Sequence, residues 1–536
     1  METSTDQRWL INELWLLAAV PFALVTWQAV QAPRLHVLLD YWHVLAKVTA
    51  DDGSLIPGAL FSYHLEQPFA LPSLLFWGDA GLAGGDNRAL TLLTVALLAA
   101  VVLLLRSLLP ESLGAVRRTA LTAGFAFLLL SAHGIELWLQ GTNGASWAPA
   151  LFFLVLAVVC AHRGRFWPAL AAAAIGSLSF GVAFPAWFAI GLVAWLRRDA
   201  WWRVAAPVAL GAAVLAFWLL TRPAGAQAAA TSGFEPGHRL AVFGASLGSM
   251  WSPGVAWVAI AAGVLVLGVL AYCGRAAVRA RAADQAGWLG LGLCAVALAL
   301  LLALGRTTGS GTNVGLLSRY SLVGGLAACA ALALAALRWN PRPGWLVAAV
   351  AAVGLVTEIT GYTQVNQVRA SYESLGTVAY ALRVNDPAAL AELRINPAVV
   401  PAARSLGAYP FTGDFTLGCG GRELGDRVPP ESPRPLPGPS GPLSTKGVVD
   451  TRAPLLTGWA VVDGKRADCV LVTDDAGTVT GGGLTGVGRS DAGGLTGEPN
   501  AGWQAAAAPD SRGRIVVVSA GGVLYRIDEN AHGERG

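Results

Sequence analysis

The chain has 536 residues, of which 54% are hydrophobic and only 13% charged, with a formal net charge of +4. Soluble domains carry about 25% charge, so this composition excludes an ordinary soluble protein, and equally collagen, disorder and a small disulfide scaffold. A net charge this small for the length gives no reason to invoke nucleic acid as a partner.

The charges divide unevenly along the chain. Residues 1–362 carry 21 basic and 15 acidic side chains, and 363–536 carry 16 and 18. Eighteen of the 20 tryptophans lie in the first part. The expected organisation is a transmembrane domain over 1–362, a helical segment over 363–427, a proline-rich linker over 428–446 and a small β-rich domain over 447–536.

A bilayer core about 30 Å thick needs roughly 20 apolar residues per helix. Spans are predicted at 10–31, 89–108, 119–138, 147–161, 204–221, 253–273, 286–305, 319–337 and 344–361. Residues 166–196 lie between His162-Arg163-Gly164-Arg165 and Arg197-Arg198. They read as a hairpin of two short helices broken at Gly181 and Pro185, which makes eleven spans. The fold class is thus a mainly α polytopic membrane protein of about eleven helices, ending in an α+β domain with a small β-sandwich. With the N-terminus inside, every inner loop is basic, as the positive-inside rule requires. The odd count then puts 363–536 outside. The first span reads as an uncleaved signal-anchor, because Pro33 follows the only cleavage-like site.

The first outer loop, 32–88, is rich in polar residues: Asp40-Tyr41-Trp42-His43, Tyr63-His64-Leu65-Glu66-Gln67-Pro68, Ser73, Asp79 and Gly84-Gly85-Asp86-Asn87-Arg88. A carboxylate at a membrane surface suits general-base work; for most of these acids a solvated loop is the competing reading. Ser131–Gln140 ends the third span and puts His133 and Glu136 one turn apart on one helix face. Ionisable groups near membrane depth are costly, and either serve function or pair to hold helices together. Arg306, Ser310-Gly311-Thr312-Asn313 and Ser318-Arg319-Tyr320 stand at the mouth of the tenth span. An arginine there matches two oxygens of a phosphate, or snorkels to ordinary lipid.

In the tail, Asp386-Pro387 and Asn396-Pro397 each start a helix. Strands are predicted at 455–462, 468–473, 513–518 and 522–527, with Gly521-Gly522 turning the last hairpin and a glycine-rich stretch, 481–495, separating the pairs. Trp459 and Trp503 are core residues or, in a carbohydrate-binding module, stacking platforms. Cys419 and Cys469 are alone in an outer domain and are expected to pair. The other four cysteines, Cys160, Cys273, Cys294 and Cys329, fall in or beside spans. There is no CxxC or His-rich zinc spacing, no Walker A loop and no GxSxG elbow, so ATP-driven transport is unsupported.

Together these features resemble the GT-C superfamily of glycosyltransferases: a large first outer loop opening on an acidic-aromatic motif, about eleven spans and an outer C-terminal domain. Shorter motifs are similar to those of bacterial multi-spanning proteins of that type. They are His64-Leu65-Glu66, Leu71-Pro72-Ser73-Leu74-Leu75, Gly84-Gly85-Asp86-Asn87, Glu136-Leu137-Trp138 and Ser318-Arg319-Tyr320. The resemblance covers about 1–362. It implies a GT-C-like fold in a bacterial plasma membrane and transfer of a sugar from a polyprenyl-phosphate donor to a cell-envelope acceptor on the outer face. In that scheme Asp40 is the catalytic base, Glu66 supports it, and the two could hold a divalent cation such as Mg or Mn. Arg319 and Arg306 bind the lipid phosphate, and His64, His133, Glu136 and Arg88 line the polar site. The chain departs from the pattern at Gln67-Pro68 and Ser73, where such proteins tend to carry basic residues, which implies a changed donor or an inactive relative. Other readings are a lipid-linked glycan polymerase or ligase, a transporter or flippase, and a non-catalytic scaffold.

Overall fold

The structure is a computed structural model that describes residues 5–223, 235–252, 254–305, 313–439, 442, 444–509 and 513–527. The chain divides into two compact units. One comprises Met1–Pro33, Pro57–Leu75 and Asn87–Val368; the other comprises Arg34–Ile56, Phe76–Asp86 and Arg369–Gly536.

The first unit is helical. Among the described residues nine helices are long and apolar enough to cross a membrane: Arg8–Val30, Asn87–Arg106, Ala115–Leu139, Gly141–His162, Trp201–Thr221, Ala256–Ala280, Ala283–Gly305, Ser318–Trp339 and Pro343–Val384. Two shorter apolar helices, Phe166–Ser179 and Pro185–Leu196, make the hairpin, with a turn at Gly181–Ala183. Helices are the natural answer in lipid, where every backbone polar group must be satisfied within the segment. The peripheral ones expose large apolar side chains, including Leu220 at 85% and Leu265 at 69%, which water would penalise and acyl chains would not.

Small residues let these helices approach closely. Gly144 is one case: a Cβ there would lie 2.1 Å from Thr94 Oγ1 on the helix Asn87–Arg106. The start of that helix is anchored by Asn87, which is fully buried. Its Nδ2 donates to the carbonyls of Pro33 and Leu139, both at 2.8 Å, and its Oδ1 accepts the Gly141 N–H at 2.7 Å.

The second unit draws on the first loop as well as the tail, which corrects the expectation that all of 32–88 belongs with the membrane helices. Arg34 pairs with Asp414 and Asp86, and its guanidinium sits 4.8 Å from the Tyr409 ring centroid. The Tyr409 N–H donates to the Gly84 carbonyl at 2.7 Å. After the long helix Pro343–Glu373, which runs past the expected boundary at 362, come Thr377–Val384, Pro387–Glu392 and Val399–Leu406. Asp386 caps the second of these through the N–H groups of Ala388 and Ala389, with Pro387 at its first position.

Among the described residues nine strands follow: β1 Arg434–Leu436, β2 Lys446–Thr451, β3 Leu456–Val462, β4 Lys465–Arg466, β5 Cys469–Thr473, β6 Val479–Val487, β7 Gly502–Ala507, β8 Arg514–Val518 and β9 Leu524–Ile527. They pair in the order β1-β9-β8-β5-β6-β7-β3-β2, with β4 on β3. This is one continuous sheet rather than the expected sandwich. The Gly447 N–H donates to the Pro437 carbonyl beside the ends of β2 and β1, so the sheet curls its two edges together.

The expected glycine-rich separator is strand β6. It bridges β5 and β7, and Gly483 is required there, since a Cβ would fall 2.0 Å from the Gln504 carbonyl oxygen. The expected linker 428–446 likewise supplies β1, parallel to β9, and the first residue of β2. Trp459 and Trp503 are 4% and 1% exposed and serve the core, not a stacking surface. The hairpin β8–β9 turns through Ser519–Val523 as its glycines predict. Cys419 and Cys469 form a disulfide with their Cα atoms 5.5 Å apart.

Candidate functional site

The polar groups of the first unit gather where the helix Ala115–Leu129 breaks. Ser131 is extended, Ala132–Gly134 make a 3-10 turn, and Ile135–Leu139 resume as a short helix. His133 and Glu136 therefore do not share one continuous helix face, contrary to expectation. Instead Ser318 ties the break to another element. Its Oγ donates to the His133 carbonyl at 2.6 Å and accepts the Glu136 N–H at 3.1 Å.

Beside it, the Arg319 N–H donates to Glu136 Oε2 at 2.9 Å, and the Arg319 guanidinium lies 3.5 Å from Oε1. The Glu136 side chain is 11% exposed and that of Arg319 35%. His133 is buried and bonds Thr360 Oγ1 through Nε2 at 2.9 Å. Glu358, one helical turn before Tyr362 on the last long helix, faces the Ala132 N–H with its carboxylate. It is a membrane-depth acid that the sequence reading passed over. The signal was available: Glu358 is the single charged residue in the predicted span 344–361.

A second group forms around the turn His64–Gln67. The two residues exchange backbone hydrogen bonds at 2.9 and 3.0 Å, and Leu65 takes a positive φ of 52° to close the turn. Gln67 Oε1 accepts the Gly181 N–H at 3.2 Å, and the Trp218 indole donates to the Glu66 carbonyl at 2.6 Å. Gln67 Nε2 also donates to Glu66 Oε1 at 3.3 Å. Thus Gln67 pins Glu66 to the break of the short hairpin.

The two groups are joined by rings. His64 contacts Phe69 (4.8 Å between centroids), Phe69 contacts Phe180 (6.1 Å), Phe180 contacts Trp147 (5.8 Å) and Trp147 contacts Tyr320 (5.4 Å). Arg319 lies 5.3 Å over Tyr320. A polar segment bearing Glu66 and another bearing Arg319 thus stand at opposite ends of one aromatic wall.

The remaining expected residues fall elsewhere. Arg88 donates from Nε to the Ala32 carbonyl at 2.8 Å, holding two helix ends together. Arg306 lies outside the described residues. Asp40 belongs to the second unit, half-buried in the first turn of the helix Leu39–Val48. Among the described residues no group of three or more His, Cys, Asp or Glu side chains is placed to hold a metal ion. Asp40 and Glu66 lie in different units. Among the described residues the donor set does not fit a protein-held cation.

The acid that the second unit buries is Asp79. Its Oδ2 accepts the Tyr41 hydroxyl at 2.9 Å and lies 2.9 Å from His36 Nε2; all three side chains are buried. The His36 and Tyr41 rings stack at 3.5 Å. Burial, and then the neighbouring Asp79 carboxylate, push the Tyr41 hydroxyl well above the usual tyrosine value. Compared with known protein families, with curated proteins and with solved structures, the chain finds no match.

Proposed function

We propose that the protein is a multi-pass glycosyltransferase of the plasma membrane, moving a sugar from a polyprenyl-phosphate donor to a cell-envelope acceptor. The observation that carries this reading is the aromatic wall with Arg319 at one end and Glu66 at the other. Phe69, Trp147 and Tyr320 are buried, so the wall holds the two polar groups apart rather than offering a ring face; an arginine receives a phosphate, and a carboxylate receives a proton. In the reaction an acceptor hydroxyl oxygen attacks the anomeric carbon. The bond from that carbon to the phosphate oxygen breaks, the electron pair leaves with the polyprenyl phosphate, and the hydroxyl proton passes to a carboxylate. Arg319, held by Glu136, stabilises the departing phosphate. Asp40 remains the proposed base by resemblance.

The topology proposed with it has eleven spans and the β domain outside. It is supported by the second unit, which combines residues following the first span with residues following the last, as only segments on one side of a membrane can. An even number of crossings must then lie between Asp86 and Arg369. The eight long helices in that interval satisfy this, with or without the short hairpin, which adds two.

The test is transfer of radiolabelled sugar from a polyprenyl-phosphate donor in membranes carrying the full chain. Arg319→Ala should lower transfer at least a hundredfold, and Asp40→Asn should abolish it. Full activity in Asp40→Asn refutes the assigned base. An unchanged envelope glycan profile after deletion of the gene refutes the transferase reading.

A further inference from the structure

The short hairpin carries a second feature at its other end. The loop after the helix Gly141–His162 holds Arg163 and Arg165, the loop after Pro185–Leu196 holds Arg197 and Arg198, and Arg203 follows in the first turn of the helix Trp201–Thr221. The two loops are joined, since Arg197 Nη1 donates to the His162 carbonyl. Among the described residues the acids nearby are already engaged: Asp199 pairs with Arg197 at 3.6 Å, and Asp284 faces His162. Arg163, Arg165 and Arg198 are exposed, and no carboxylate pairs with any of them or with Arg203 among the described residues.

Aromatic side chains flank this charge. Arg203 lies over the rings of both Phe166 and Trp202, at 5.7 and 5.3 Å, and Trp167 and Trp201 are 71% and 80% exposed. Tryptophans so exposed at helix ends are placed for the headgroup layer. The helices themselves have 14 and 12 residues. At 1.5 Å per residue they reach roughly 21 and 18 Å, well short of a core about 30 Å thick. Short helices draw the headgroups towards them, and long basic side chains reach out to meet the phosphates.

We propose that these joined loops bind an anionic phospholipid bearing two phosphates, with Arg163, Arg165 and Arg198 gripping the phosphates and Trp167 and Trp201 bounding the site. Two phosphates suit the site because three exposed arginines bring three positive charges with no paired carboxylate among the described residues, and a lipid with two phosphates supplies twice the neutralising charge of a lipid with one. The inference needs only the membrane reading, not the proposed transferase activity.

The experiment is lipid binding by the purified full chain, read by native mass spectrometry. The probes are cardiolipin, phosphatidylglycerol, phosphatidylcholine and inorganic phosphate. Cardiolipin should bind most tightly and phosphatidylcholine weakly, with inorganic phosphate failing to compete. R163Q/R165Q/R198Q should weaken cardiolipin about a hundredfold, at the usual contribution of a basic residue near an anionic headgroup. R338Q/R342Q, at another basic loop, should change nothing. Equal binding of phosphatidylcholine, an unaffected triple variant, or an equal loss in the control pair each overturns the proposal. So does wild-type cardiolipin binding that is insensitive to added salt, which covers the case in which the triple variant does not fold.

Discussion

Removing the Asp79 carboxylate should open the second unit locally. In Asp79→Ala the Tyr41 hydroxyl and His36 Nε2, both 2.9 Å from the missing oxygen and both on fully buried residues, lose their common partner. A buried polar group left unsatisfied costs about 1–3 kcal/mol, so the pair implies roughly 2–6 kcal/mol. Asp79→Asn keeps the shape, and with its amide oxygen in the place of Oδ2 it can accept from both the Tyr41 hydroxyl and the His36 Nε2–H, so it should cost only about 1 kcal/mol. The assay is hydrogen exchange of the full-length protein in detergent, followed on peptides covering Leu39–Val48. At 1.4 kcal/mol per tenfold, a loss near 4 kcal/mol lowers protection there about a thousandfold. The same network sets an alkaline limit. Because the Tyr41 hydroxyl is raised in the folded state, its contribution is complete below pH 10 and is lost as pH rises from 10.0 towards the raised value. Tyr41→Phe should diminish that alkaline step, leaving the part that the likewise raised Tyr380 and Tyr409 contribute. Equal protection in Asp79→Ala and Asp79→Asn, or an alkaline step that Tyr41→Phe leaves undiminished, would refute the reasoning.

Other outcomes follow from single contacts. Asn87→Leu leaves two carbonyls and one N–H without the partners they have at the junction of three helix ends, and should destabilise the first unit by roughly 3 kcal/mol or more, read by thermal aggregation of the solubilised protein. Gly144→Leu forces a side chain into Thr94 and should abolish the folded helix pair, whereas Gly144→Ala with Thr94→Ala should recover much of the loss. Reducing Cys419–Cys469, which are 50 residues apart, should cost the second unit roughly 4 kcal/mol by the chain-entropy estimate, measured as a shift in its denaturant midpoint with and without reductant.

Several elements were legible because their signals are local. The short hairpin shows in the breakers Gly181 and Pro185, the helix at Pro387 in its Asp386 cap, and the last β-hairpin in Gly521-Gly522. Strand β6 was not legible, because Gly481, Gly482 and Gly483 have poor strand propensity and read as a spacer. Their place in the sheet comes from a neighbouring backbone that leaves no room for a side chain. The break at Ser131 was hidden for a similar reason. Apolar residues continue on both sides of it, and partners distant in sequence, Ser318 and Glu358, supply hydrogen bonds that let the backbone stop being helical.

The candidate site divides in the same way. Glu66, His133, Glu136 and Arg319 stood out as polar residues in an apolar setting, and three of them, His133, Glu136 and Arg319, meet around Ser318. Asp40 stood out equally, yet it is the quieter Asp79 that the fold buries against Tyr41 and His36.

Composition and charge by themselves determined that most of this chain lives in lipid, because transfer of 20-residue apolar segments is a sum over residues and needs no partner. Only the tertiary structure decided that the first loop is divided between two units, that Gln67 anchors Glu66, and that an aromatic wall connects Glu66 to Arg319. Each of those facts turns on a pair of residues more than 100 positions apart, Arg34–Asp414, Gln67–Gly181 and Trp147–Tyr320, where the energy belongs to the contact and neither sequence segment carries it alone.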